Sequence, residues 1–360
     1  MNAQPSARKK SRILLSTSGT LGDILVMIPI LAGIRELHRD SEIILFNKHA
    51  SSAAVSPLGV VRRAGLVDRI DILSPWRLRL LQILSFLPYP GRKKFDLVYF
   101  LQRDGRSLKR RLQRNIPFLN RISRGGVRGA VHLEPLDDPM KTYPRMAELL
   151  LARINWNNPE PVTPGSPYLS FSAEDRARAE EVLKRLRFPS DCVPFVCCVG
   201  GKQKVSHWPL EKYRSLLMRV IKETNARPVF MGGPGDAEDI RCLMNSLPEG
   251  SSFYAETLTN DLWGSICFMS LCAFYLGNDT GSLHMAAAAG IPCIAVCSSH
   301  DHAGLWFPWS SGSRVFRCEP PPACTGCRRQ HCPKGSPAPC IDAIGPDEVF
   351  DAVREQLPAR

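Results

Sequence analysis

No run of eighteen or more apolar residues occurs in this chain, so its sequence offers no transmembrane helix. A signal-peptide core is missing too. The basic start MNAQPSARKKSR leads into an apolar segment that Gly19, Gly22 and Asp23 interrupt, and a cytoplasmic location is expected. The most basic stretch, Arg103 to Arg128, holds a single aromatic, Phe118, and lacks the interleaved aromatics that stack on bases, so nucleic acid is not an expected partner. The chain has no Asp-x-Asp pair of the kind that holds a metal beside a sugar nucleotide. Its first glycine loop is Gly-x-x-Gly rather than Gly-x-Gly-x-x-Gly. The strand expected at Ile43–Phe46 ends in Asn47-Lys48, where an NAD site wants a carboxylate.

What is present is an ordinary globular balance, 44% apolar and 22% charged over 360 residues, enough for two domains. The net charge of +13 is lopsided. Residues 1–150 hold 26 Lys and Arg against 12 Asp and Glu, while the remainder is close to neutral. A surface of this kind seeks phosphates on lipid heads, glycans or nucleic acid. Trp76 to Tyr89 is apolar, flanked by aromatics and carries two arginines. It suits either a helix lying in a membrane interface or a buried core helix.

Thirteen cysteines are present, and a cytoplasmic chain is not expected to pair them. Eight sit singly or as Cys197-Cys198 among apolar residues. Cys318, Cys324, Cys327, Cys332 and Cys340 crowd together near His331, but a single Cys-x-x-Cys lacks the second pair of a zinc site. No metal is assigned to them.

Short apolar runs alternate with helical patterns along the chain. Strands are expected at Ile13–Thr17, Ile43–Phe46, Phe95–Phe100, Phe195–Val199, Val229–Met231, Ala273–Leu276 and Cys293–Cys297. Helices are expected from Ile24 to Leu37 around Pro29, from Pro209, over Leu258–Met269, Ser282–Ala289 and Asp347–Leu357. This order predicts two parallel-sheet α/β domains, Rossmann-like, facing each other across a cleft. The proline-rich segment 155–168 divides them into residues 1–160 and 161–345, the second including the cysteine-rich segment 318–340. A final helix in 346–360 is expected to pack back on the first domain.

Polar loops follow several of these strands. The Gly19-Thr20-Leu21-Gly22-Asp23 turn allows close approach by a substrate, and Asp23 is either a base raised by burial or a plain helix cap. In the second half, Gly200-Gly201-Lys202-Gln203-Lys204 brings two ammonium groups. Gly232 to Asp236 allows close backbone approach, with Asp236 placed to accept from ribose hydroxyls. Asp279-Thr280-Gly281 sits before a helix whose free N–H groups attract phosphate. His284, one turn into that helix, faces either the phosphates or the core. Together the loops form a pocket for a nucleotide diphosphate in which lysines and helix amides replace Mg2+.

These residues resemble glycosyltransferase family 9, the heptosyltransferases of lipopolysaccharide assembly. The likeness rests on Gly22-Asp23, on Trp208-Pro209 after the lysine-bearing loop, on Gly232-Gly233-Pro234, and on Gly277 to Gly281 with His284 and its alanines. The resemblance implies a GT-B fold and inverting, metal-independent transfer from a nucleotide-diphosphate sugar, most plausibly ADP-heptose. The acceptor would be an anionic glycolipid on the first domain at the inner-membrane surface. Asp23 would be the base, with Lys202, Lys204, Asp236, Asp279, Thr280, Gly281 and His284 at the donor. Gly19, Thr20, Gly22, Arg103 and Arg106 would serve the acceptor. Ser206 stands where many members carry a lysine, Ser282 replaces a frequent proline, and Glu256-Thr257-Leu258-Thr259 is atypical. Two other classes compete: a nucleotide-sugar epimerase of the same architecture, and a basic nucleic-acid-binding protein.

Overall fold

A computed structural model describes residues 11–18, 20–47, 57–72, 95–102, 119–120, 122–129, 138–258 and 260–357. The first domain is built on five parallel strands, β1 (Arg12–Ser18), β2 (Glu42–Asn47), β3 (Arg69–Ile72), β4 (Leu97–Gln102) and β5 (Val127–Arg128), in the order β3-β2-β1-β4-β5. Leu15 on the central strand pairs with Leu45 on one side and Tyr99 on the other. Its apolar run is buried on both faces, as a parallel sheet requires. Helices α1 (Leu21–Leu25), α2 (Ile28–Leu37), α3 (Pro57–Arg63) and α4 (Met146–Asn155) belong to this domain. Ile30, Leu31 and Ile34 of α2 and Met146 and Leu150 of α4 share one core with Ile13, Leu15 and Tyr99. The helical segment expected from residue 24 to 37 is two helices. Pro29 falls in the first turn of α2, where its missing N–H costs no bond.

The second domain carries six parallel strands: β6 (Val193–Cys198), β7 (Ala226–Phe230), β8 (Phe253–Tyr254), β9 (Tyr275–Asn278), β10 (Cys293–Val296) and β11 (Arg314–Phe316). Their order is β11-β10-β9-β6-β7-β8. Around them lie α5 (Ala173–Arg185), α6 (Leu210–Glu223), α7 (Ala237–Asn245), α8 (Leu262–Met269), α9 (Gly281–Ala289), α10 (Pro339–Asp342) and α11 (Pro346–Glu355). Helix α8 starts four residues later than its apolar pattern suggests. Asp261 accepts from the Gly264 N–H at 2.9 Å and fixes the start there. Gly290, at φ 85°, ends α9 in the left-handed conformation that a side chain would resist.

In both sheets the strand order reverses at one point, between β1 and β4 and between β6 and β9. Ligands of such sheets bind beyond the strand C-termini at that reversal. The chain crosses between domains through residues 156–172, which form no helix or strand. A return contact comes from the loop after β10. The N–H groups of Tyr143 and Met146 donate to the carbonyls of Ala303 and Leu305, and Leu305 is buried in the first domain's core. The closing helix departs from expectation. Val349, Phe350 and Val353 of α11 are buried with Leu216 and Val220 of α6 in the second domain's core, not on the first domain. Its apolar stripe finds a nearer partner. Among the described residues no helix is long and apolar enough to cross a membrane.

Candidate active site

Three loops at the β6, β7 and β9 ends enclose a cavity of about 490 Å3. Gly200, Gly201 and Lys202 line it, as do Gly232, Gly233, Pro234 and Asp236, and Thr280, Gly281 and Ser282. Its inner end is apolar, with Met231, Ala255, Leu258, Met269 and Met285. A slot of this chemistry suits a flat heterocycle, with the polar loops left for a diphosphate.

Asp236 holds two of these loops together. Its Oδ1 accepts from the Gly201 N–H at 3.2 Å and its Oδ2 from the Gly233 N–H at 2.8 Å. A Cβ on Gly200 would stand 1.9 Å from Oδ1, so only glycine lets this carboxylate in. Asp236 is therefore a brace of the cavity; each of its oxygens carries one of these bonds, and the carboxylate lines the cavity as well.

Asn278, fully buried at the end of β9, joins the third loop to the first. Its Oδ1 accepts from the Trp208 N–H and the Tyr213 hydroxyl, each at 3.0 Å, and its Nδ2 donates to the Val199 carbonyl at 2.7 Å. Sequence reasoning read Asn278 only as part of the Gly277 to Gly281 run and gave it no role of its own. Trp208-Pro209 nearby was the available signal. The Thr280 hydroxyl does not cap an amide of α9; it meets the Ser282 hydroxyl in the helix's first turn at 2.8 Å. The Leu283 N–H donates to the Thr280 carbonyl at 3.1 Å, and among the described residues the Gly281 and Ser282 N–H groups at the cavity have no acceptor, so an anion would bind there.

The two lysines part company. Lys202 lines the cavity, whereas Lys204, exposed in the following turn, does not. Ser206 is buried against the Ser298 hydroxyl at 3.0 Å, away from any phosphate role. Asp279 does not line the cavity either. Burial, with the Asp301 carboxylate adding to it and Arg317 opposing, pushes its carboxyl up to about 7.

Across the seam stands the first domain's α1. Leu21 lines the same cavity and lies against Gly281, whose ideal Cβ would be 3.0 Å from Leu21 Cδ2. Gly22 faces His284, and Asp23 is half-buried next to them. The Asp23 Oδ2 accepts from the Thr20 N–H at 2.7 Å and the Thr20 hydroxyl at 3.0 Å. It does cap its own helix, but no bond to Oδ1 is present among the described residues. The structure thus brings Leu21 and Gly22 against the start of α9, with Thr20 and Asp23 beside them on α1 but not lining the cavity. Gly19, Arg103, Arg106 and the Trp76–Tyr89 segment lie outside the described residues. Among the described residues no three His, Cys, Asp or Glu side chains converge on a metal-sized site, the cysteine-rich segment included.

A family model for glycosyltransferase family 9 (heptosyltransferase) matches residues 144–336, more than half of the chain. The chain belongs to glycosyltransferase family 9. It is a glycosyltransferase of two parallel-sheet α/β domains in the GT-B arrangement. Its fold is similar to that of a family 9 glycosyl transferase from Veillonella parvula, at 16% identity and a TM-score of 0.70, covering 98% of this chain and 99% of the other. It is also similar to the ADP-heptose LPS heptosyltransferase II of E. coli, at 18% identity and a TM-score of 0.64, over 96% and 98% of the two chains. A third likeness is to E. coli heptosyltransferase WaaC with ADP-2-deoxy-2-fluoro heptose, at 16% identity and a TM-score of 0.57, over 96% and 100%. No curated protein sequence matches the chain.

Proposed function

We propose that this family 9 enzyme transfers a sugar with inversion from a nucleotide diphosphate to a lipid-linked glycan. ADP-heptose as donor and a lipopolysaccharide core as acceptor fit best. The observation that carries this is the placement of Asp23 on α1, whose preceding residues Leu21 and Gly22 touch the start of α9 at the donor cavity. Thr20 fixes one carboxylate oxygen, and Oδ1 takes the proton of the acceptor hydroxyl. That oxygen attacks the anomeric carbon from the face opposite the diphosphate, and the carbon–oxygen bond to the diphosphate breaks. The free amides of α9 and the Lys202 ammonium receive the charge that leaves, without a metal. Two of the similar proteins are an ADP-heptose LPS heptosyltransferase and a heptosyltransferase with ADP-2-deoxy-2-fluoro heptose, which supports an adenine nucleotide in the apolar slot. The excess cations of residues 1–150 suit an anionic glycolipid held at the cytoplasmic face of the inner membrane.

Asp23→Asn tests the base. Turnover is expected to fall by about 10²–10⁴-fold, with affinity for ADP changed less than twofold by calorimetry. Retained turnover excludes the assignment. A thermal-shift series with ADP-, GDP-, UDP- and dTDP-sugars identifies the donor, since a ligand stabilises the state that binds it. Conversion of the sugar nucleotide with no acceptor present would mark an epimerase instead.

A further inference from the structure

The second half of the chain is close to neutral overall, but one loop in it is strongly basic. Residues 317–338 leave the C-terminal end of β11, on the cleft side of the second sheet, and hold four Lys and Arg against one acid, Glu319. This loop is pinned to the loop after β10. The Gly326 and Arg328 N–H groups donate to the Ser299 and His300 carbonyls at 2.9 and 3.1 Å, and Arg317 donates to the Asp301 carbonyl at 2.8 Å. The buried His302 ring is wedged between the two domains. A Cβ on Gly326 would stand 2.3 Å from its Nε2, and the Tyr143 ring of the first domain meets it edge-on, centroids 5.3 Å apart. Contact continues along the seam through Ala303 and Leu305 to Trp306, whose ring centroid is 6.0 Å from that of His284, the residue that Gly22 of α1 lies against. The basic loop thus stands on the seam that begins at α1, and none of its residues lines the donor cavity.

We propose that this loop is the second domain's share of the acceptor site, a clamp centred on Arg328 for a phosphate of the acceptor glycan. The inference rests on reading the chain as a transferase to an anionic, lipid-linked glycan. Arg328 is exposed and held in left-handed backbone, at φ 49°. That conformation is unfavourable for a residue with a Cβ, and residues held in it gather at ligand-binding sites. The Asp301 carboxylate accepts from the Arg328 Nε at 3.0 Å, and among the described residues neither Nη has an acceptor. The Asp301 side chain is only 12% exposed, so the brace is a fixed one. The guanidinium is therefore oriented at Nε, with both Nη groups left to bind a phosphate as a fork. Arg329 and Lys334 beside it are exposed and pair with no acid among the described residues.

The first domain continues this rim. Lys141 is exposed over the Tyr143 ring at 5.3 Å, whereas Arg145 is neutralised by Glu148 at 3.1 Å. An acceptor whose hydroxyl reaches Asp23 while a phosphate rests on Arg328 touches both domains. It binds the closed arrangement better than the open one and so shifts the molecule toward closure. The exposed cations also draw an anionic acceptor toward the seam before it docks.

The test uses the full-length enzyme saturated with ADP, which fills the donor cavity. The probe is deacylated lipopolysaccharide core, with its phosphates intact or removed by phosphatase. Arg328→Ala is expected to weaken binding of the phosphorylated core by about 10-fold or more, with ADP affinity changed less than twofold by calorimetry. The loss should vanish with the dephosphorylated core. Arg328→Lys, which keeps the charge but not the fork, should fall between. Should Arg328→Ala fail to fold, the double variant Arg329→Ala/Lys334→Ala removes charge from the same loop and should weaken the phosphorylated core alone. Wild-type affinity in Arg328→Ala, or an equal loss for both cores, overturns the inference. Binding of the wild type to phosphatidylglycerol vesicles that carry no glycan, weakened equally by Arg328→Ala, assigns the loop to lipid head groups and overturns it as well. A wild-type enzyme that neither binds nor glycosylates the phosphorylated core overturns the acceptor reading, and the inference with it. Turnover of that core with Arg328→Ala binding it unchanged overturns the inference alone.

Discussion

Asn278 and Asp279 are sequence neighbours in opposite electrostatic situations. The amide is buried with its oxygen and nitrogen both bonded, so its desolvation is offset. The carboxylate is raised to about 7 by burial and by Asp301, against an ordinary value of 3.8. Between roughly pH 4 and 7 the folded chain therefore keeps a proton that the unfolded chain has released. This stabilising contribution is fully present below about pH 4, declines as pH rises, and is lost above about pH 7. Asp279→Asn removes the titration while keeping the shape. Thermal unfolding at pH 5 and pH 8 should show the variant gaining on the wild type at the higher pH, by an amount on the order of a few kcal/mol. Equal curves at both values would mean that the carboxyl is not held in a raised state.

The unit that counts at the level of elements is the loop, and Asp236 shows how three local signals become one cavity. Gly200-Gly201 and Gly232-Gly233 are separate turns in sequence, joined only because one carboxylate accepts from both. Asp236→Ala removes two bonds worth about 1 kcal/mol each, and ADP affinity should fall by up to roughly 30-fold. Asp236→Asn, which retains an acceptor oxygen, should lose less. Calorimetry on both variants checks this, and unchanged affinity for Asp236→Ala would show that the loops hold without the brace. The same example marks what was legible beforehand. Strand, glycine turn and helix are written locally, and the β9–loop–α9 unit reads directly from Ala273 to Ala289. The Gly201 partner of Asp236 is 35 residues away, and the residue that His284 lies against, Gly22, belongs to the other domain. Neither relation has a periodicity to betray it. Short edge strands such as β5, β8 and β11 also lack enough residues to show an alternation. Helix α5 buries only Ala179, so its apolar stripe is too thin to announce a helix.

For the whole molecule, what remains is how the two domains, which share a core cluster through Leu25, Ile28 and Val60, hold α1 against the cavity. Besides the seam between α1 and α9 and the contacts of the loop after β10, a side-chain cluster around Arg63 bridges them. Arg63 at the end of α3 pairs with Asp175 of α5 at 2.5 Å and lies over the Trp263 ring of α8 at 5.0 Å. Trp263 is backed by Phe171, edge-on at 5.1 Å. The ion pair is half in water on the Arg63 side, with side-chain exposures of 47% and 10%, so it contributes about 1 kcal/mol at most. The stacking on Trp263 adds a similar amount. A strut of this size barely affects the stability of either domain but weighs on an equilibrium between closed and open arrangements. Arg63→Ala should enlarge the radius of gyration in small-angle scattering and raise the donor KM a few-fold, with each domain's melting little changed. Arg63→Lys, keeping the charge but not the planar stack, should fall between. If Arg63→Ala scatters like the wild type, the closure is set without this strut, by the α1–α9 seam and by the loop after β10 that seats Leu305 in the first domain's core.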